Sequence, residues 1–359
     1  MSSPVRFGVV GTGWRAEYFV RLGRLLPDRL EVAGVVARRP ERAVEVAAAW
    51  DVPVFPTTAA LVADAGPDFV ISSVPWEANP GVVEELVGHG IAVLSETPPA
   101  PDESGLAGLW ARVGGSGLVQ VAEQYMLMPM HAARLAAVRS GLLGTVSSVQ
   151  VSSTHQYHAV SMIRGFLGAG HPPAVVDARR FRGPLVDPLT RGGWTGDATP
   201  KEATTTLATF DFGPAGTGVY DFTDNQWHNR LRGRRLVIRG SHGEIVDHTV
   251  TRLRDTELIT DSPLLRRQSG YDLDLEGYDT DHIQLDGELM WVNPYSGHRL
   301  ADEEIAILTL LDATASWRRG AGPAPYPLAD ACTDHLLALA VETAATKGVS
   351  VDVEPGPWA

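Results

Sequence analysis

The feature that most constrains this chain is a glycine-containing turn directly after its first apolar run. Val5–Val10 has the composition of a buried strand, and Trp14–Leu26 has the apolar periodicity of a helix. The turn between them, Gly11-Thr-Gly13-Trp-Arg-Ala16, has the form G-x-G-x-x-A. In such a turn the first glycine permits the tight bend, the second lets a pyrophosphate approach the backbone, and the small third residue lets the helix pack against the strand.

The turn predicts a dinucleotide site at the start of a βαβ series. Free N–H groups and the dipole of the following helix would favour the phosphates. The alternative is that the glycines serve only the bend. The candidate cofactor contacts within the turn are Gly11, Thr12, Gly13, Trp14 and Arg15.

The rest of the first 125 residues continues the alternation of strands and helices. Its apolar runs are short and continuous, which suits buried parallel strands with helices between them. These runs are Leu30–Val36, Asp68–Val74, Ile91–Ser95 and Gly117–Ala122. The pattern predicts an α/β domain over residues 1–125, with a doubly wound parallel sheet of the Rossmann type.

Residues 126–359 have a different pattern and predict an α+β domain with an open, mainly antiparallel sheet. A helix is expected at Met130–Ser140, and hairpin turns at residues 213–216 and 239–244. Segments with strand alternation are Val146–Ser153, Thr205–Phe212, Thr217–Asp224 and Arg234–Ile238. We expect a less regular structure for the charge-rich Thr251–Gln284, and two final helices between Asp302 and Lys347.

Composition limits the classes of partner. The 30 basic and 43 acidic residues give a formal net charge of −13, which argues against non-specific nucleic-acid binding and against attachment to an anionic membrane surface. The sequence contains neither a signal-peptide pattern nor an apolar run long enough to span a membrane, so we expect a cytoplasmic protein that acts on a small molecule. Cys332 is the single cysteine, and His282 among mobile acids is a poor ligand set, so we expect neither a disulfide nor a metal site.

The end of the second predicted strand bears on cofactor preference. An NAD site would place Asp or Glu there to bind the ribose 2′-hydroxyl, but this chain has Ala37-Arg38-Arg39-Pro40. Two arginines without a carboxylate suit a 2′-phosphate, so the sequence favours NADP over NAD. Arg38 and Arg39 could also belong to a solvated loop, and NAD stays open.

Several motifs together give the chain a resemblance to a known family. Besides the turn, they are Val74-Pro75 after the fourth strand, Glu96-Thr97-Pro98 after the fifth, and the helical segment His158–Gly168. In this order they resemble the glucose–fructose oxidoreductase / inositol dehydrogenase / MocA (Gfo/Idh/MocA) family over nearly the whole chain.

The resemblance implies a two-domain subunit that transfers a hydride to or from a carbinol carbon of a sugar, polyol or related compound. It also implies that the second domain's sheet supplies the substrate site on one side and a subunit interface on the other, hence a homodimer or homotetramer. Further cofactor contacts implied by the resemblance are Pro75, Trp76, Glu96 and Thr97.

The chain departs from the family at the groups that handle protons. Thr97 stands where the family's usual Glu-Lys-Pro has its lysine, and Thr154 stands where it usually has an aspartate. Ser161 replaces the acid that usually follows the histidine by three residues. Among the family's usual groups at these positions, only His158 remains.

Three residues are candidates for the catalytic chemistry. His158 is the first, because its ordinary pKa suits acid/base work near neutral pH, although it could be a capping or core histidine. Tyr157 could hydrogen-bond a reacting oxygen, or simply pack. Lys201 is one of only two lysines in the chain, and we hypothesise that it replaces the missing family lysine; the alternative is a surface lysine paired with Glu202.

Candidate substrate contacts lie on both sides of these residues. They are Gln124 and Tyr125 at the end of the sixth strand, His155 in the polar segment before His158, and Trp227 and His228 after a long strand. The leading prediction is an NAD(P)-dependent oxidoreductase. Two alternatives are a glycosidase or lyase that recycles its bound NAD, and a non-catalytic dinucleotide-binding regulator.

Overall fold

The structure is a computed structural model that describes residues 4–359, and the chain divides into two compact units. The first unit contains the residues up to Met128 together with Leu300–Cys332 and Gly356–Ala359. The second contains Pro129–Arg299 and Thr333–Pro355. The sequence-based division uses one boundary after residue 125, whereas in the structure the chain enters the first unit again at residue 300.

The regular elements of the described residues are as follows. The helices are α1 (Trp14–Leu25), α2 (Pro40–Trp50), α3 (Thr58–Ala60, continued by a π-turn at Leu61–Ala65), α4 (Asn79–Gly88), α5 (Glu103–Val113), α6 (Pro129–Arg139), α7 (Gln156–Leu167), α8 (Asp302–Arg318) and α9 (Leu328–Lys347). The strands are β1 (Val5–Val10), β2 (Leu30–Val36), β3 (Val54–Phe55), β4 (Phe69–Ser72), β5 (Ala92–Ser95), β6 (Val119–Val121), β7 (Val146–Val151), β8 (Ala174–Leu185), β9 (Leu189–Thr190), β10 (Gly193–Trp194), β11 (Lys201–Asp211), β12 (Thr217–Thr223), β13 (Leu236–Gly240), β14 (Gly243–Val246), β15 (Thr249–Asp255), β16 (Leu258–Pro263), β17 (Leu265–Ser269), β18 (Asp279–Leu285), β19 (Glu288–Val292) and β20 (Val351–Val353).

The first unit contains the predicted doubly wound sheet. Its six strands are parallel, in the order β3-β2-β1-β4-β5-β6. The inner strands β4 and β5 are buried along their whole length, and Phe7 stacks on Phe69 with ring centroids 5.8 Å apart. Apolar side chains on both faces of a parallel strand need cover on both sides, which explains the continuous apolar runs in the sequence.

Residues near the end of the sequence also pack in the first unit. The Val121 N–H donates to the Tyr326 carbonyl at 2.9 Å, and Gln120 forms an isolated bridge with Pro327, so the edge of β6 is covered. Trp358 is buried and meets the ring of Trp110 edge-on at 6.5 Å. The sheet edge and one side of α5 therefore depend on residues more than two hundred positions away in sequence.

The second unit is built on a nine-stranded mixed sheet, as the sequence predicts. Its order is β16-β15-β14-β13-β7-β12-β11-β8-β20, and only the β7–β12 pair is parallel. The predicted hairpin turns at residues 213–216 and 239–244 are confirmed, since they join β11 to β12 and β13 to β14. A separate three-stranded antiparallel sheet has the order β17-β18-β19.

The prediction of a less regular structure for Thr251–Gln284 is wrong. This stretch holds most of β15, all of β16 and β17, and most of β18. β16 ends the large sheet and β17 ends the small one, so many of their side chains face solvent. Charged residues are tolerated at such positions and obscure the apolar alternation that marks a half-buried strand.

The two faces of the large sheet differ. On one face Phe210, Tyr220 and Phe222 are buried, and α7 packs there against β7 and β12. On the other face Phe181 and Leu207 are exposed. None of the described helices combines the length and the apolar character needed to cross a membrane.

Candidate active site

The glycine turn of the first unit has the geometry that a pyrophosphate requires. Gly11 has a φ of +132°, and a Cβ there would lie 2.0 Å from the Ser73 carbonyl oxygen, so no other residue fits. A Cβ at Gly13 would have no atom within 4 Å, so this part of the backbone faces open space. Gly13 is the N-cap of α1 and no side chain caps the helix, which leaves its first-turn N–H groups for a bound anion. These residues fit a dinucleotide.

Arg42 supports the turn and was missed by the sequence analysis. Its guanidinium donates to the Thr12 carbonyl at 2.7 Å and pairs with Glu45 at 3.0 Å. One sequence signal could have found it: Arg42 lies three residues after Arg39, in the first turn of α2, and so on the same side of the helix start.

Arg38 and Arg39 follow β2, and both are exposed. Within residues 4–359, neither has an ion-pair partner: Glu31, the acid on β2, pairs with Arg6 at 3.0 Å. Arg39 is the N-cap of α2, so the two cations lie at a helix N-terminus. This combination suits an added anionic group.

Arg15 points into protein. Its side chain is 13% exposed, its Nε lies 2.9 Å from Glu96 Oε1, and its Nη1 lies 2.8 Å from Glu303 Oε1. With the Gln124 amide oriented to satisfy both of its ends, Gln124 donates to the Ala122 carbonyl and accepts from Arg15 Nη2 at 3.2 Å. Arg15, Glu96 and Gln124 are thus in direct contact. Glu303 is a further member of this cluster, and no sequence motif marks it.

A second polar network fixes the ends of β4 and β5. Buried Asn79 accepts from Ser72 Oγ at 2.7 Å and donates to Ser95 Oγ at 2.8 Å and to the Pro99 carbonyl at 2.9 Å. The Thr97–Pro98 peptide bond is cis, and Thr97 is half-buried. Asn79 was not among the sequence-predicted site residues.

Aromatic residues border the same edge of the sheet. Trp14 and Trp76 are 56% and 54% exposed, and Pro75 beside Trp76 is also exposed. Tyr125 is half-buried after β6, and its N–H donates to Glu123 Oε1 at 3.0 Å. Exposed tryptophans at the carboxyl ends of parallel strands are available to a ligand bound there.

In the second unit, a chain of rings surrounds the start of α7. His155, the N-cap residue, meets the ring of His158 at 4.9 Å and the ring of Trp227 at 5.0 Å, both edge-on. Tyr157 is buried and contacts His158 at 5.3 Å and His335 at 6.1 Å. The structure therefore brings together four of the predicted residues and adds His335 from α9.

The two histidines of this cluster differ in environment. Burial, reinforced by neighbouring His158, lowers the pKa of His155 to about 3, so His155 is uncharged at neutral pH. His158 is partly exposed at the first turn of the helix. His155 therefore presents an uncharged ring to His158 at neutral pH.

The positions where the family has acids carry uncharged hydroxyl side chains here. Ser161 Oγ donates to the His158 carbonyl at 2.9 Å. Thr154 is fully buried, and in the described part of the chain its hydroxyl has no hydrogen-bond partner. Neither side chain can supply a negative charge to His158.

Lys201 and His228 lie apart from the ring contacts. Lys201 begins β11, its side chain is 66% exposed, and its Nζ pairs with Asp197 Oδ2 at 3.0 Å rather than with Glu202. The hydrogen bond from the Thr199 N–H and the pairing with Lys201 lower the pKa of Asp197 to about 2. His228 is partly exposed in the turn that carries Trp227. Across residues 4–359, no group of three or more His, Cys, Asp or Glu side chains is arranged to hold a metal ion.

A protein-family match supports the dinucleotide site predicted from the glycine turn. Residues 5–121 match the model described as "Oxidoreductase family, NAD-binding Rossmann fold" of the Gfo/Idh/MocA group. Residues 5–121 therefore form the NAD-binding Rossmann domain of the Gfo/Idh/MocA oxidoreductase family. This is an NAD(P)-dependent oxidoreductase family, so the predicted dinucleotide-binding Rossmann domain is confirmed. No curated protein sequence matches the chain.

Solved structures share the fold over the whole chain. A myo-inositol dehydrogenase from Corynebacterium glutamicum is 16% identical, with a TM-score of 0.66, and the match covers 98% of this chain and 100% of that one. A levoglucosan dehydrogenase in complex with NADH and levoglucosan is 17% identical, with a TM-score of 0.69 and 98% and 99% coverage. The WlbA dehydrogenase from Bordetella pertussis, in complex with NADH and UDP-GlcNAcA, is 16% identical, with a TM-score of 0.64 and 98% coverage of both chains.

Proposed function

We propose that this Gfo/Idh/MocA protein transfers a hydride between NADP(H) and a carbinol carbon of a sugar, polyol or related compound, with His158 as the acid/base. The observation that carries the proposal is the environment of His158: a partly exposed histidine at a helix start, beside a histidine that stays neutral. The substrate class is supported by the names of proteins with this fold, which include inositol and levoglucosan dehydrogenases.

Each group has a distinct role in this mechanism. When bound, the dinucleotide supplies the hydride acceptor or donor. Gly11 and Gly13 let the pyrophosphate approach the backbone at the start of α1. His158 takes the hydroxyl proton during oxidation and returns it during reduction. Trp227 and His155 offer a largely uncharged surface to the substrate, which suits a polyol better than a cation.

A kinetic comparison of His158 with a matched surface histidine tests the acid/base role. We expect His158→Gln to lower kcat by about 10²–10⁴-fold while leaving the Kd of NADP⁺ within about twofold of wild type. His282→Gln, which removes a histidine paired with Asp281 in the small sheet, serves as the control. Full turnover by His158→Gln would exclude the proposed role.

The same assay separates the two alternative functions. Reduction of NADP⁺ in step with substrate oxidation supports the oxidoreductase. Bond cleavage in a glycoside with no net change at the reduced-nicotinamide absorbance band would support a glycosidase or lyase with a recycled cofactor. Tight dinucleotide binding without conversion across a panel of sugars, polyols and glycosides would support a regulator.

The NADP preference rests on Arg38 and Arg39, which are exposed and lack ion pairs within residues 4–359. Hydrogen bonds to charged groups contribute about 1.5–3 kcal/mol. We therefore expect Arg38→Ser/Arg39→Ser to weaken NADP⁺ binding roughly ten- to hundredfold and NAD⁺ binding far less. Arg6→Ser, which removes an exposed arginine paired with Glu31, is the control. Equal losses for both cofactors would reject the preference.

We also propose a homodimer or homotetramer formed through the exposed face of the large sheet. Phe181 on β8 and Leu207 on β11 lie on that face, where their contact with a second copy would remove apolar surface from water. Light scattering should show an oligomer for the wild type and a smaller species for Phe181→Glu/Leu207→Glu. A wild-type monomer at micromolar concentration would contradict this proposal.

A further inference from the structure

Arg15 occupies the glycine turn, yet all three nitrogens of its guanidinium are bonded to other parts of the first unit. Nε donates to Glu96 at the end of β5, Nη1 to Glu303 in the first turn of α8, and Nη2 to Gln124 after β6. One side chain thereby joins the turn after β1 to three other segments at the carboxyl edge of the sheet. Three of the five N–H donors of the guanidinium are therefore used within the first unit, one from each nitrogen.

The contact continues from Glu96 to Thr97. The second oxygen of the Glu96 carboxylate accepts from the Thr97 N–H at 3.4 Å, while the first accepts from Arg15. Thr97 is the residue at the family's lysine position. From the other side, Ser95 Oγ donates to the Glu96 carbonyl at 3.1 Å and is itself held by Asn79. The loop at Glu96–Thr97 is therefore held from two sides, by Arg15 through the Glu96 carboxylate and by Asn79 through Ser95.

The carboxylates beside Arg15 keep its guanidinium charged at neutral pH. Burial disfavours the charged guanidinium, but the carboxylates of Glu96 and Glu303 outweigh burial and raise the pKa of Arg15 above its ordinary value. The rings of Trp14, Tyr18 and Phe19 lie 5.4–5.7 Å from the guanidinium carbon. A lysine would keep the charge but could not reach three acceptors with a fixed planar fork.

We infer that Arg15 is a positioning residue: through Glu96 it fixes Thr97 and the loop at the end of β5, and so sets the geometry at the nicotinamide end of the bound cofactor. The inference rests on the proposed oxidoreductase function and is an alternative to the expectation that Arg15 contacts the cofactor itself. It predicts that loss of Arg15 disturbs the nicotinamide end while the adenosine end still binds.

Three variants and two nucleotides test this. Arg15→Met removes the fork, Arg15→Lys keeps the charge, and the control Arg21→Met breaks the exposed Arg21–Glu304 ion pair between the same two helices. The ligands are 2′,5′-ADP, which reports the adenosine end, and NADPH, whose binding also brings the nicotinamide. Binding is followed by calorimetry and by the fluorescence of bound NADPH.

We expect Arg15→Met to bind 2′,5′-ADP within about twofold of wild type, to bind NADPH at least fivefold more weakly with altered emission, and to lower kcat by up to about 10²-fold, the cost of a small misplacement of reacting groups. Arg15→Lys should lie between Arg15→Met and wild type, and Arg21→Met should match wild type. In a double-mutant cycle, Glu96→Gln should add little to Arg15→Met, because both break the same contact.

Equal loss of 2′,5′-ADP and NADPH binding in Arg15→Met would overturn the inference in favour of direct phosphate binding. Unchanged NADPH binding and kcat, with only a lower Tm, would overturn it in favour of a purely structural role. The two nucleotide affinities can be measured without a substrate, so a wild type that oxidises no sugar or polyol would defeat the proposed function while leaving this comparison decisive for Arg15.

Discussion

The two units of this chain differ in how closely they follow the pattern of the Gfo/Idh/MocA family. In the first unit the glycine turn and the parallel sheet follow the family pattern, although Thr97 stands at the family's lysine position. In the second unit the sheet is present, but Thr154 and Ser161 stand where acids are usual, and Lys201 is a surface residue paired with Asp197. Binding a dinucleotide constrains the backbone itself, whereas substrate chemistry depends on a few side chains that can change without altering the fold.

The largest effect that would sharpen this contrast is expected at Gly11. In Gly11→Ala the Cβ would lie 2.0 Å from the Ser73 carbonyl, at a φ of +132°, so we expect a loss of stability on the order of 4 kcal/mol or more. Gly13→Ala, with φ −81° and open space around it, should fold normally and lose dinucleotide affinity. Chemical denaturation and NADP⁺ titration of both variants check this, and normal stability of Gly11→Ala would contradict it.

The buried ion pair of the second unit should give the next largest effect. Arg164 on α7 pairs with Asp334 on α9, and both side chains are almost completely buried. Asp334→Asn removes a buried counter-charge of Arg164, so it should cost about 3–5 kcal/mol. The exposed pair Arg182–Glu202 is the control, and Glu202→Gln should change stability by less than about 1 kcal/mol. Equal, small losses in both variants would show that the second unit tolerates changes even in its core.

The pH dependence of the free energy of unfolding should report the burial of His155 in the ring cluster of the second unit. Since the pKa of His155 falls to about 3 in the folded protein, the unfolded chain binds its proton first as the pH drops below 6.5. The stabilising contribution of neutral His155 is fully present above pH 6.5. It is lost as the pH falls toward 3, at about 1.4 kcal/mol per pH unit. His155→Gln should therefore lose less stability than wild type between pH 7 and pH 5, by about 2 kcal/mol. Parallel denaturation curves for the two proteins at both pH values would refute this assignment.

The smallest effect is expected at Lys201. The sequence suggested that Lys201 replaces the missing family lysine, but its exposed side chain and its ion pair with Asp197 favour a change in kcat of less than about twofold for Lys201→Met. A loss of tenfold or more, with NADP⁺ binding intact, would restore the original hypothesis. Lys347→Met, which removes the other lysine of the chain, provides the comparison.

The sequence predicted the elements that local patterns encode. Continuous apolar runs predict β4 and β5 because both faces of each are buried, and the turn before α1 is recognisable because only glycine allows the backbone conformation at Gly11. Strands β15–β18 were missed because charges on exposed positions hide their alternation.

Long-range partners of the site were beyond local reasoning. Glu303 bonds Arg15 across 288 positions, and His335 reaches Tyr157 from a helix near the end of the chain. Neither Glu303 nor His335 lies in a recognisable sequence motif. Each reaches its partner only because the chain folds back over a long sequence distance. The same limit applied to Lys201, whose partner is decided by the turn that places Asp197 beside it.

The cover over the β6 edge has a consequence for biosynthesis. Val121 is translated about two hundred residues before Tyr326, the residue whose carbonyl its N–H binds. At ribosomal rates of roughly 5–20 residues per second, the nascent parallel sheet keeps an open edge for about 10–40 s. During that interval an unpaired strand edge can join another chain. Chaperone dependence in the cell should therefore arise from the dinucleotide-binding unit, the part that looks most complete in sequence, because its edge is sealed among the last segments to leave the ribosome.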